Sequence, residues 1–446
     1  MNKYLSILKE PISSERQSLL KARWENLPPD LKTERQVVGQ HFVHCGYTMG
    51  ASYCSFSCTH CYLPKNANRV PIPSIDEMKA QIDANRRFMG PASGLQITGG
   101  DVVDAYWHAG RGGELIEIVQ YANQVGVVPM LMTHGQTLLE QPDYFVQLVQ
   151  DGGLRKIALH IDMTQAGRPG YPIRKLESER DLHPLRKAFV DLIQYVRQKT
   201  GVRFYAAHTV TVTERNVDSI SDILRWLLAD AKHLDVFRMV SFQTEANVGR
   251  TRFSQSPVTP DQTWRQICVG VGIELPRDNL SFGHPDCSNM TTLMVVYPER
   301  KVINLIPNDE RSRSFWKSML KTFGGIEFRD DQFVDMMLRI SSVLMRDPSM
   351  LIKALKYIHH RMRQEKLGYE LIGRVLGGQV RFLNIVLHNF MSASDVTAPR
   401  SAVVQKRLDA CSFRGAVQRN GEWHPVPMCE INTFREELYA AKIGAS

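Results

Sequence analysis

Six short apolar runs, separated by amphipathic stretches of helical period, recur between residues 41 and 250. The runs fall at 41–49, 94–98, 127–133, 155–162, 203–213 and 235–242, and the helical stretches at 74–89, 114–124, 142–150, 185–198 and 217–229. Ser74 with Glu77 three residues later is a helix-start signature. Strands joined one after another by helices predict an α/β fold with a parallel sheet and βαβ connections. The pattern divides the rest of the chain. Residues 1–40 are a polar, helical N-terminal segment broken at Pro28 and Pro29. Residues 251–310 are a mixed connecting segment with strand candidates at 292–297 and 301–306. Residues 311–400 are a helical region, almost wholly helical over 312–390, and 401–446 are a small tail with two cysteines. There is no internal repeat and no low-complexity tract.

The composition, 43% hydrophobic and 23% charged over 446 residues, is that of a globular chain with a sizeable core. No apolar run approaches the roughly 20 residues that span a bilayer. The first residues hold too short an apolar stretch for a signal peptide. Eight cysteines without a secretion signal argue for thiolates that bind metal in a reducing compartment. A cytoplasmic, oxygen-sensitive protein is the expectation. The net charge of +9 favours anionic partners such as nucleic acid, phospholipid or an acidic substrate, without choosing among them.

The first apolar run leads into Cys54-Ser55-Phe56-Ser57-Cys58-Thr59-His60-Cys61-Tyr62. Three thiolates on one loop can hold three irons of a cubane cluster and leave the fourth open to a small molecule. Zinc is the competing ion, but a structural zinc site wants four closed ligands, usually from a second paired motif, and no second C-x2-C exists. His60 reads as a loop residue beside the cluster rather than a ligand.

The C-x3-C-x2-C spacing and the aromatic after the third cysteine resemble the radical S-adenosylmethionine (radical SAM) superfamily. The resemblance implies a partial (β/α)6 barrel over 41–250, with the helical extension and the cysteine-bearing tail appended. It implies a [4Fe-4S] cluster on Cys54, Cys58 and Cys61, with SAM on the open iron. By analogy with full barrels, the site lies at the C-terminal strand ends. Tyr62 belongs to the motif. Gly99-Gly100-Asp101, where the family usually carries Gly-Gly-Glu, would receive the methionine ammonium on backbone carbonyls, with no Cβ in the way. His160 and Asp162 share a strand face and would meet the ribose. Arg168 or Arg174 would fork the carboxylate. Thr211 and Thr213 would line the site. An electron donor such as flavodoxin or ferredoxin is the implied partner.

Cys287, Cys411 and Cys429 sit on predicted turns, the last two flanking a hairpin whose turn is Arg419-Asn420-Gly421. They are candidate ligands of a second iron–sulfur cluster, with Cys268, Cys45 or His284 to complete it. The alternative is ordinary free cysteines. The run from Val380 to Met391, followed by Cys411, the hairpin and Pro427-Met428-Cys429, resembles the radical SAM branch containing archaeal tetraether lipid synthases. That suggests a lipid or other hydrophobic chain as substrate; a peptide or small metabolite is the alternative. On a helix over 348–364, Leu351, Ala354, Leu355, Ile358 and Met362 form one face, and Lys353, Lys356, His360 and Arg363 the opposite one. Such a helix either packs its apolar face on the core or docks on an anionic membrane at its inner face. A non-catalytic iron–sulfur or zinc protein that binds nucleic acid or senses redox state is the competing class. No basic arm or nucleic-acid motif supports it.

Overall fold

The computed structural model describes residues 3–251, 258–277, 280–326, 333–368, 370–398 and 401–444, with the side chains of 3 and 441–444 left aside. Eleven strands form one sheet. They are β1 (Cys45–Tyr47), β2 (Gly94–Ile97), β3 (Val128–Thr133), β4 (Lys156–His160), β5 (Tyr205–Val212), β6 (Phe237–Thr244), β7 (Ser288–Val296), β8 (Lys301–Asn304), β9 (Val380–Asn389), β10 (Phe413–Arg419) and β11 (Glu422–Pro427). Their order is β11-β10-β1-β2-β3-β4-β5-β6-β9-β7-β8. The six expected strands lie side by side in chain order, all parallel. β10 joins β1 in parallel and β9 joins β6 in parallel. The sheet curls until its flanks meet: the His388 ring of β9 stands 4.8 Å from the Phe413 ring of β10, edge to face.

The core lies between the sheet and its helices. Leu95, Ile97, Leu131, Ile157 and Leu159 point outward and are buried against residues such as Ile82, Leu115, Leu148 and Ile193. The opposite face is more open. Along β3, inward-facing Val128, Met130 and Met132 are half-buried while their neighbours are buried. A closed eight-stranded barrel fills these positions with bulky branched side chains. Here they surround a cavity.

The expectations hold where local chemistry dictates. Ser74 caps the helix Ile75–Met89, its side chain accepting from the Glu77 N–H. The tail hairpin turns at Asn420 and Gly421, both at positive φ (52° and 82°), as a type I′ turn requires. Two expectations change. Residues 380–389 form a strand, β9, not the end of a helical run. Leu383, Ile385 and Leu387 alternate with Asn384, Val386 and His388, and the period of two prevails because β6 and β7 offer pairing edges on both sides. Sheet pairing therefore crosses the expected boundary at residue 250.

The helix Ser349–Gln364 does not bury the face its wheel suggests. It packs through Met350 and through Tyr357, whose ring stacks on Phe315 at 4.0 Å and whose hydroxyl donates to the Leu305 carbonyl. Leu351, Ile352, Leu355 and Ile358 are half or more exposed. The N-terminal helix Ser14–Glu25 braces distant segments: Arg23 donates to the carbonyls of Asp409 (2.8 Å) and Cys411 (3.0 Å). No helix of the described residues is long and apolar enough to cross a membrane.

Candidate functional site

The loop carrying Cys54, Cys58 and Cys61 leaves β1 at its C-terminal end and is fastened along its length. Gly50 N–H donates to the Thr98 carbonyl, Gly100 N–H to Ala51 and Asp101 N–H to Tyr53. Asn68 brackets Cys54, accepting from its N–H and donating to its carbonyl. Ser55 N–H donates to Asp104 (2.7 Å), Ser57 N–H to the Ala166 carbonyl, and Arg250 N–H to the Cys61 carbonyl. The three thiols sense one another electrostatically. Burial, with the carboxylate of Asp101 next in weight, raises Cys54, and burial with the neighbouring Cys61 pushes Cys58 up to about 12. Burial also raises Cys61, against the pull of Arg250 and Arg435. A trio held neutral by burial is one that bound metal would deprotonate.

The donor set suits a cluster better than a single ion. Among the described residues, the group whose ligand atoms all lie within 4.8 Å of one another is Cys54, Asp104 and His134, not the three sulfurs. Cysteine sulfurs that bind different irons of a cubane stand further apart than the ligands of one ion, so a more open trio would suit it. Asp104 is already engaged: it accepts from Ser55 N–H and Thr137. Burial would raise its carboxyl, but the His134 hydrogen bond and charge pull it well below the usual range.

Gly99 and Gly100 lie directly beneath the loop. A Cβ on Gly99 would stand 2.2 Å from the Ala51 oxygen, and one on Gly100 2.2 Å from the Tyr53 oxygen. The glycines are thus required by the cysteine loop itself, a reason additional to ligand approach. Tyr62 donates to the Gly99 carbonyl and meets the Thr98 hydroxyl at 3.3 Å. The Asp101 carboxylate, at the cavity wall, is already engaged. It caps the helix Val102–His108 through Asp104 N–H and accepts from Thr133 and His134 N–H.

His160, Asp162 and Thr211 come together. The His160 Nε2 stands 2.7 Å from Asp162 and 3.1 Å from the Thr211 hydroxyl, and Thr211 N–H donates to Asp162. Burial would raise Asp162, but the His160 charge and hydrogen bond, with Thr164 and Thr211, hold it at about 2. His160 and Thr211 line the cavity; Asp162 orients them from behind. Three expected residues fall elsewhere. Arg168 is a buried strut, donating to the carbonyls of His134 and His160 and to Gln165, with its guanidinium 5.1 Å from the Phe56 ring. Arg174 is exposed on a short turn. Thr213 caps the next turn, accepting from Arg215 N–H. His60 Nδ1 pairs with Glu245 at 2.7 Å.

Sequence reasoning missed Arg435. Carried by the C-terminal helix Met428–Gly444, it is buried with its guanidinium 4.6 Å from the Tyr62 ring, and it donates to Tyr439 and Asn432. It also missed the stacking of Phe56 on His134 at 3.8 Å. Neither has a local signal, because both partners are distant in the chain.

Cys287, Cys411 and Cys429 lie near the seam where β9 and β10 approach, close enough to act on one another electrostatically but with their sulfurs not all within 4.8 Å of one another. Cys411 and Cys287 each raise the Cys429 thiol after burial, to about 12, and Cys411 acts on Cys287, which burial pushes up to about 11. Arg407 donates to the Cys287 sulfur at 3.2 Å, and Met391 N–H to the Cys429 sulfur at 3.4 Å. His284 shares the Cys287 loop, its carbonyl accepting from the Cys287 N–H. Cys45 and Cys268 do not join. Cys45 lies at the start of β1 beside the Gly94 carbonyl, and Cys268 is buried in the helix Pro260–Val271.

One cavity, of about 790 Å³, extends from the cysteine loop into the barrel. No protein-family model and no curated protein matches the chain. Three solved structures are similar to parts of it. Streptococcus suis SuiB bound to S-adenosylmethionine is 11% identical, over 51% of this chain and 46% of that one, with a TM-score of 0.36. Native anSMEcpe with bound AdoMet and Cp18Cys peptide is 12% identical, over 51% and 58%, at 0.33. Hexahistidine-tagged anSMEcpe with bound AdoMet is 11% identical, over 69% and 97%, at 0.32. The chain thus spans less than half the length of SuiB. The α/β architecture stands on the strand pairing above.

Proposed function

We propose that this chain is a radical SAM enzyme, and the observation that carries the proposal is the half-buried three-thiol loop seated on a Gly-Gly turn at the C-terminal mouth of an open parallel barrel. Cys54, Cys58 and Cys61 would hold the [4Fe-4S] cluster. When bound, the cluster would supply SAM with one electron, received from a flavodoxin or ferredoxin, and so split SAM into methionine and a 5′-deoxyadenosyl radical that takes a hydrogen atom from substrate. The chain's own residues position SAM. The Gly99 and Gly100 carbonyls would accept from its ammonium, Tyr62 fixes the Gly99 carbonyl, and His160 and Thr211, oriented by Asp162, would meet the ribose hydroxyls. The test is anaerobic reconstitution, reduction with dithionite and addition of SAM. 5′-Deoxyadenosine is the expected product; its absence with an intact cluster would refute the proposal.

Cys287, Cys411 and Cys429 are proposed to hold a second iron–sulfur cluster, supported by their convergence and by the cation Arg407 beside them. A hydrophobic chain is the proposed substrate, and contact with an anionic membrane surface the proposed route to it. The support is a face of exposed Leu351, Ile352, Leu355 and Ile358 flanked by Lys353, Lys356 and Arg363. Flotation with anionic but not neutral liposomes checks the membrane contact.

A further inference from the structure

The cavity wall differs from one side of the barrel to the other. Strand register arranges the inward side chains of β4, β5, β6 and β9 in rows. His160 is level with Thr209, Thr209 with Ser241, and Ser241 with Val386. One step nearer the thiols, Thr211 is level with Gln243, and Gln243 with His388, which faces Ser288 of β7. One step further from them stand Ala158, Ala207 and Met239. All of these line the cavity, while the alternate residues Val210, Phe242 and Leu387 belong to the outer core. The two rows nearer the thiols thus make a band of short polar groups across β5, β6 and β9, about 10 Å wide at roughly 4.8 Å per strand.

His160 and Thr211 hold each other and Asp162. The rest of the band has capacity left. The Ser241 hydroxyl is buried without a hydrogen-bond partner among the described residues. The side chains of Thr209 and Gln243 likewise make no hydrogen bond among the described residues. His388 Nδ1 meets the Ser288 hydroxyl at 3.0 Å, and burial pushes its pKa down to about 4, so the ring is neutral. Charged groups lining the thiol end have partners of their own. Asp101 accepts from Thr133, Glu245 pairs with His60, and Arg435 donates to Tyr439 and Asn432. Lys156, Arg203 and Arg238 line the far end, beyond the row of Ala158, where Arg238 lies over the Tyr205 ring. Across the barrel, β3 offers Val128, Met130 and Met132. A charged substrate group set against the band would lose its water without gaining a counter-charge. A bare hydrocarbon would bury Thr209, Ser241 and Gln243 with nothing to bond. A hydroxyl or an amide avoids both costs, because each donates and accepts. The methionines of β3 and the row of Ala158 suit an alkyl chain.

Resting on the proposed radical chemistry, we infer that the part of the substrate beside SAM is uncharged and bears a hydroxyl or amide group on an apolar chain. The polar group bonds to Thr209, Ser241, Gln243 and His388. The chain lies against Met130, Met132 and the row of Ala158.

Calorimetric titration of the reconstituted, unreduced full chain with SAM present tests this. 1-Octanol and octanamide carry the two polar groups on chains of one length, and the tighter binder identifies the group. One of them is expected to bind one-to-one with a dissociation constant on the order of 100 μM. It should bind at least about tenfold tighter than octanoate or octylammonium, which carry a charge on the same chain, and than ethanol or acetamide, which lack the chain. Thr209→Val and Gln243→Leu should each weaken it by about fivefold to tenfold. Ser241→Ala should do the same, and is the variant to use if either of the others does not fold. Equal or tighter binding of octanoate or octylammonium, or full affinity in all the variants that fold, overturns the inference. The same preparation is assayed for 5′-deoxyadenosine after reduction. Product without binding of either neutral octyl ligand defeats this inference alone; binding without product defeats the proposed radical chemistry alone.

Discussion

Cys54, Cys58 and Cys61 occupy one loop, whereas Cys287 and Cys411 come from two turns and Cys429 from the first turn of the helix Met428–Gly444, brought together only because the sheet curls β9 against β10. The first trio lies on one short loop, which backbone hydrogen bonds fasten to Gly100, Asp101, Ala166 and Arg250 and which rests on the glycines beneath it. The second depends on remote struts: Arg23 of the N-terminal helix holds the Cys411 carbonyl, and Arg407 holds both the Cys287 sulfur and the Asn389 carbonyl. The spacing of the first trio along the chain is set locally. A distributed one reports on the whole fold.

The largest expected effect separates the trios directly. Cys58→Ala should abolish 5′-deoxyadenosine formation and remove the SAM-responsive signal of the reduced cluster from electron paramagnetic resonance. Cys429→Ala should instead roughly halve iron and sulfide, leaving about four irons per chain. Unchanged iron in Cys429→Ala would break the comparison, since only one trio would then hold metal.

Next in size is the packing beneath the first trio. Gly99→Ala drives a methyl into the Ala51 carbonyl, where no flexible side chain can give way. A loss of about 1–3 kcal/mol in unfolding free energy is expected, with poor cluster retention. Wild-type stability in this variant would show that the loop is looser than its hydrogen bonds imply.

Arg435→Ala removes the cation over Tyr62 and leaves the buried Tyr439 hydroxyl short of a partner. About 1–3 kcal/mol of destabilisation is expected, with a more negative cluster potential in redox titration, and Arg435→Lys should restore the potential in part. A potential unmoved by either substitution would confine Arg435 to packing.

The smallest effect is in acid. Asp162 is held at about 2 against an ordinary 3.8, so its folded form binds its proton less readily than the unfolded chain does. Its contribution to stability is therefore complete above pH 3.8 and is lost as the pH falls toward 2. In Asp162→Asn the acid limb of the stability curve should be flatter over that interval; an identical limb would show that the His160 pairing carries no linkage.

Much of the barrel and of the first trio was legible in the chain. Strand and helix periods, the Ser74 cap and the cysteine spacing are local properties, read within a few residues. The site residues divide by the same rule. His160, Asp162 and Thr211 meet because adjacent parallel strands put alternate side chains on one face. Asp101, Arg168 and Thr213 turned to capping and bracing because buried backbone groups nearby needed partners, which depends on neighbours the pattern does not name. β9 was hidden inside a helical region because an apolar run of ten residues suits either period until pairing edges exist.

The amino-acid sequence by itself determined the parallel α/β framework and a three-thiol loop at the end of its first strand, since both arise from interactions between near neighbours. Tertiary structure alone decided that three scattered cysteines draw near one another, that Arg435 covers Tyr62, and that a cavity runs from the thiols into the barrel. These rest on contacts between segments hundreds of residues apart, which exist only once burial of the common core has curled the sheet and brought its two flanks together.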